Sequence, residues 1–131
     1  MAFNIVKTGV TLSVRMALGN GLSAGGLEFH FLRDDGKGAS VALNPVSLAK
    51  MVQVFRGECE SIDDGRGLRD CGKRFCLSHM IDPNGYKISV ERDGGDRYVV
   101  FLDMAEALVL CLVIEHSMPF FLFGEDLGRL Y

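Results

Sequence analysis

Between residues 27 and 31, Leu27, Phe29 and Phe31 alternate with Glu28 and His30, the two-residue period of a strand with one buried face. The cluster Asp34-Asp35-Gly36-Lys37-Gly38 follows, rich in residues that accept a hairpin turn, and residues 40–43 read as the returning strand. Asn44 predicts a helix N-cap and Pro45 the first helical position, where a missing N–H costs nothing. Leu48, Met51, Val52 and Phe55 then form an apolar stripe at helical spacing.

The same order recurs further on. Tyr86, Ile88 and Val90 alternate with Lys87, Ser89 and Glu91, Asp93-Gly94-Gly95-Asp96 makes the turn, and residues 98–102 return. Asp103 with Glu106 three positions later is a capping box. Laid against itself at an offset of 59 residues, the chain aligns without a gap from residue 27 to 52: Arg33 meets Arg92, Asp34 meets Asp93, Gly36 meets Gly95, Val41 meets Val100 and Leu43 meets Leu102. Each half has a further alternating segment upstream. Residues 9–16 set Val10, Leu12, Val14 and Met16 opposite Thr11, Ser13 and Arg15. Residues 74–81 set Phe75, Leu77 and His79 on one face before the turn Asp82-Pro83-Asn84-Gly85. Additional strands are expected near residues 3–7 and 18–22, and the glycine- and charge-rich stretch 57–72 is expected to be the loop that joins the repeats.

The second helix is apolar almost all round from Leu108 to Ile114, which predicts burial on several sides or against another subunit. Pro119 is expected to end it, leaving an apolar tail with Phe120, Phe121 and Phe123 that covers the core or docks on a partner. The chain therefore reads as one α+β domain over residues 1–131. It comprises a duplicated antiparallel β-sheet-plus-helix unit, with pseudo-repeats of approximately 1–57 and 66–116 and a C-terminal apolar tail.

Composition narrows the function classes. A chain of 131 residues that is 48% hydrophobic and 24% charged can bury its own core and is not disordered. The formal net charge of -3 counts against strong non-specific nucleic-acid binding, which comes from Lys and Arg neutralising phosphates, though a local patch outweighs the sum. No signal-peptide pattern and no apolar run of membrane-spanning length occur, so a cytoplasmic setting with no membrane contact is expected, and Cys59, Cys71, Cys76 and Cys111 are expected as free thiols. Their spacing does not suit zinc, and no cofactor or metal is expected.

The run Val41-Ala42-Leu43-Asn44-Pro45, ending a strand and opening a helix, resembles the strand-end Leu-Asn-Pro of the transcriptional-coactivator family of single-stranded DNA-binding proteins. Together with the duplicated pattern over most of residues 9–116, it is similar to the plant Whirly proteins, whose fold has four strands and a helix twice. The coactivator family's acidic residue and tryptophan after the proline are replaced here by Val46, Ser47 and Leu48. The resemblance implies a four-strand-plus-helix unit repeated twice and a protein that binds single-stranded DNA or RNA across its sheets as a homodimer or higher homo-oligomer.

The candidates for that surface come from the residues themselves. A single strand needs positive charge beside exposed flat rings. Arg66, Arg69, Lys73 and Arg74 form the densest basic segment, suited to a binding patch or to a solvated loop edge. Arg15, Arg33 and Arg92 sit at strand positions suited to a repeated phosphate contact or to salt bridges with neighbouring aspartates. Tyr86 and Tyr98 could stack on bases or pack in the core, and Lys87 is grouped with them. His30, His79 and His116 are scattered, and Cys76 and His79 point to opposite sides of a strand, so no catalytic constellation is expected. The alternative is a non-enzymatic protein-interaction or assembly module, favoured by the acidic total, the apolar second helix and the Phe-rich tail.

Overall fold

The computed structural model describes residues 2–16, 25–59, 61–64, 73–92 and 94–130, with side chains described for all of these but 2, 62–64, 73 and 120–130. Strands β1 (Ala2–Lys7), β2 (Val10–Met16), β3 (Leu27–Arg33) and β4 (Gly38–Leu43) form an antiparallel sheet in the order of the chain, followed by helix α1 (Pro45–Phe55). Strands β5 (Ser61–Asp64), β6 (Lys73–Met80), β7 (Gly85–Arg92) and β8 (Arg97–Asp103) form the second such sheet, followed by α2 (Met104–Leu130). The architecture is the duplicated sheet-plus-helix unit that the offset of 59 implies.

The repeat is visible down to single hydrogen bonds. In the β3–β4 hairpin, Arg33 N donates to Lys37 O and Gly36 N donates to Arg33 O. In the β7–β8 hairpin, Arg92 N donates to Asp96 O and Gly95 N donates to Arg92 O, the same pair shifted by 59 residues. Gly36 (φ 87°) and Gly95 (φ 96°) both take the positive φ that a side chain resists. The upstream strands obey a different shift. Val14 faces Phe29 and Leu77 faces Ile88, so the equivalence there is 63 residues, because ten residues separate the paired Met16 and Leu27 but only six separate the equivalent pair His79 and Tyr86.

Both helices start as their sequences dictate. Asn44 Oδ1 accepts from Ser47 N (2.9 Å) and Pro45 follows in the first turn. Asp103 and Glu106 close a reciprocal box, with Glu106 N donating to Asp103 Oδ1 (2.7 Å) and Asp103 N donating to Glu106 Oε1 (3.0 Å). The inner faces of both sheets and one side of each helix share a core of Leu12, Phe29, Phe31, Leu48, Met51, Phe75, Leu77, Ile88, Leu110 and Ile114. Phe29 and Phe75 meet across the two sheets with ring centroids 5.8 Å apart.

Three expectations are corrected. Residues 61–64 are a strand inside the stretch read as a loop; it pairs with β6 through Ser61–Ser78 and Ile62–Leu77, a register that its short polar sequence does not advertise. Pro119 does not end α2, which continues to Leu130. A proline removes one backbone hydrogen bond, and helix on both sides can continue past that loss. The apolar tail is accordingly helical rather than irregular. The strand expected near 18–22 lies outside the described residues. Among the described residues no helix is long and apolar enough to cross a membrane.

Candidate nucleic-acid interface

Strand alternation sends every second residue of each sheet away from the core, and the two outward faces differ in chemistry. On the β5–β8 sheet, β6 presents Arg74, Cys76 and Ser78, β7 presents Lys87 and Glu91, and β8 presents Arg97, Val99 and Phe101. Register places Lys87 between Ser78 and Phe101, and Glu91 between Arg74 and Arg97. Phe101 is 54% exposed. An exposed ring beside a cross-strand lysine, two positions along β8 from Val99 and four from Arg97, is the combination that single strands use: a π-face for a base and cations for its phosphates.

The outward face of the β1–β4 sheet is less charged. Arg15 is committed to Glu28, with Nη2 at 2.6 Å and Nε at 3.0 Å from the same Oε1. The row Asn4–Ser13–His30–Ser40 runs across it in register, and His30 Nδ1 lies 2.5 Å from Ser40 Oγ. Val6 and Leu32, one on either side of Thr11, are exposed.

The remaining candidates fall in several places. Tyr86 and Tyr98 are 5% and 1% exposed, so neither can offer a face to a base; both serve the core. Tyr86 packs edge-on against Phe55 (5.0 Å) and donates its hydroxyl to Phe55 O (3.3 Å). Burial pushes the Tyr86 phenol above its ordinary value. Arg33 lies on the core side of β3, its guanidinium 4.7 Å above the Tyr98 ring and 3.2 Å from Asp35 Oδ2. Arg92, its repeat equivalent, donates to Gly38 O at 3.5 Å. These two arginines cross the seam in opposite senses, one from each sheet to the other; Arg33 is half-buried there and Arg92 is exposed. Arg66 and Arg69 lie outside the described residues, and Lys73 enters as the first residue of β6.

Sequence reasoning passed over Phe101 and Arg97. The signal was present: with Tyr98, Val100 and Leu102 turned inward, parity assigns Arg97, Val99 and Phe101 to the opposite face.

Two further features lie along the helices. Exposed Met104, Leu108, Val109 and Leu112 make an apolar strip on α2, and beside it a groove of about 610 Å3 runs along Phe3, Val14 and Met16 of the first sheet. Near the end of α1, Arg56 donates to Glu115 Oε1 (2.8 Å), and Cys111 Sγ donates to the same oxygen (3.3 Å). The Arg56 guanidinium and the Cys111 thiol together hold the Glu115 carboxyl below its usual range. Among the described residues no group of three or more His, Cys, Asp or Glu could hold a metal ion.

No protein-family model and no curated protein matches the chain. Solved structures do. The chain is similar to the plant transcriptional regulator PBF-2 (TM-score 0.69, 17% identity), covering 98% of this chain and 93% of that one. It is similar to WHY1 from Arabidopsis thaliana (TM-score 0.72, 18% identity), covering 98% and 89%. A guide-RNA-binding protein complex, in a structure bound to a guide RNA, gives a TM-score of 0.66 at 17% identity, covering 91% and 90%. Over nearly its whole length the chain thus has the Whirly/PBF-2-like fold.

Proposed function

We propose that this protein is a non-catalytic single-stranded nucleic-acid-binding protein, with a transcription-associated or DNA-processing accessory role, and that the outward face of the β5–β8 sheet carries the strand. The observation behind this reading is the exposed Phe101 ring set in register beside Lys87, with Arg97 on the same strand and Arg74 across the sheet. The mechanism is phosphate neutralisation by those cations with a base stacked on Phe101. The fold shared with a plant transcriptional regulator and with a guide-RNA-binding complex supports it.

The test is fluorescence-anisotropy titration with a labelled single-stranded oligonucleotide at low and high salt, with duplex as the control. Binding that favours the single strand and weakens steeply with salt is expected. Phe101→Ala should cost about 1–3 kcal/mol of affinity, the worth of one stacked base. Lys87→Ala should reduce the slope of log affinity against log salt by roughly 0.7, one phosphate contact on a single strand. Failure to bind any single strand at low salt sinks the reading.

A second reading, self-assembly, rests on a different observation. Leu108 is 61% exposed and lies with Met104, Val109 and Leu112 on one strip of α2, apolar surface that a second copy of the chain would cover. The two readings are compatible, since the strip and the proposed strand path are made by different elements.

A further inference from the structure

A cleft of about 440 Å3 opens where the β6–β7 turn meets the end of β8. Met80, Pro83 and Phe101 make its apolar walls, and Asn84, Asp103 and Lys7 stand at its polar rim. We infer that this cleft is a subsite for a single unstacked nucleobase that carries an exocyclic amine; the inference rests on the single-strand reading above and adds to it which bases are preferred. Phe101 belongs to both surfaces, so a strand tracked along Arg97 and Lys87 meets the cleft at that ring. The volume is in the range that small ligands fill, and apolar walls with a few placed polar groups are the usual build of such sites.

The rim groups decide the chemistry. Asn84 Oδ1 accepts from His79 Nε2 (2.9 Å), which leaves the Asn84 amide nitrogen to donate. Asp103 Oδ1 accepts from Glu106 N (2.7 Å), and the carboxylate keeps further lone pairs. Lys7 Nζ is held in an ion pair with Glu106, so the rim does not end in an unpaired cation seeking a phosphate. A carboxylate beside an amide donor suits adenine, cytosine or guanine, whose amines donate. Uracil and thymine offer one ring N–H flanked by two carbonyl oxygens, which a carboxylate repels.

The experiment is the same anisotropy titration run with oligo(A), oligo(C), oligo(U) and oligo(T) of equal length at low salt. Oligo(A) and oligo(C) are expected to bind roughly tenfold more tightly than oligo(U) and oligo(T), about the discrimination of one good side-chain–base pair. Asp103→Asn keeps a competent helix cap, so the melting temperature should hold while the preference collapses. Should that variant lose stability, Met80→Trp fills the cleft from one wall and should abolish the preference while leaving salt-dependent binding. Equal binding of all four oligonucleotides, or a preference that survives both substitutions, overturns the cleft assignment and leaves the sheet-face reading standing. Absence of binding by every oligonucleotide overturns both.

Discussion

Cys111 illustrates how burial sets the chemistry of one side chain. Desolvation, with the hydrogen bond to Glu115 second, pushes its thiol up to about 11. Because the thiolate is the reactive form, Cys111 should be the slowest of Cys59, Cys76 and Cys111 to alkylate in the native protein at pH 8, read by mass spectrometry of the modified peptides. Linkage fixes a sign as well. A raised folded-state value means that the stabilisation is complete below the free thiol's range and is lost as pH rises through about 11. The stability difference between the wild type and Cys111→Ala should therefore shift over that alkaline interval and stay flat from pH 6 to 8. Gly85 is constrained by space instead: a Cβ there would lie 2.3 Å from the Leu102 carbonyl oxygen. Gly85→Ala must push β7 from β8, and a loss of about 1–3 kcal/mol is expected by urea denaturation.

At the scale of elements, local chemistry explains most boundaries. Asn44→Ala and Asp103→Ala should each cost about 1 kcal/mol, because each leaves a first-turn N–H without its acceptor. The hairpins were legible for the same reason, since Gly36 and Gly95 sit where a turn demands them. Strand β5 was not, because a four-residue strand carries too little periodicity to stand out from a charged loop. Pro119 misled in the other direction: one proline outweighed the helical residues around it in the reading, though not in the fold. The candidate site followed the same division. Alternation puts Lys87 and Tyr86 on opposite faces of β7, but an amphipathic ring suits either face of a strand, so the tyrosines by themselves do not say which face is covered.

At the scale of the molecule, the sheets are joined through the shared core, and Arg33 over Tyr98 and Arg92 toward Gly38 O cross the seam in opposite senses, as the duplication produces. The exposed strip on α2 is the surface proposed for self-assembly. If a second copy covers it, the wild type should run as a dimer or larger species by light scattering at micromolar concentration, and Leu108→Glu should give a folded monomer. A wild type that is monomeric throughout would remove the self-assembly proposal.

The sequence by itself determined the repeat, the hairpins, both caps and the two-residue alternation of β2, β3, β6 and β7, because these depend on residues a few positions apart. Only the tertiary structure decided which arginines are spent on the seam, that Tyr86 and Tyr98 lie inside, and that Phe101, Lys87 and the mouth of a cleft share one face. Those outcomes depend on which strands become neighbours and on what covers each face, and such long-range packing is not recorded in any local stretch of the chain.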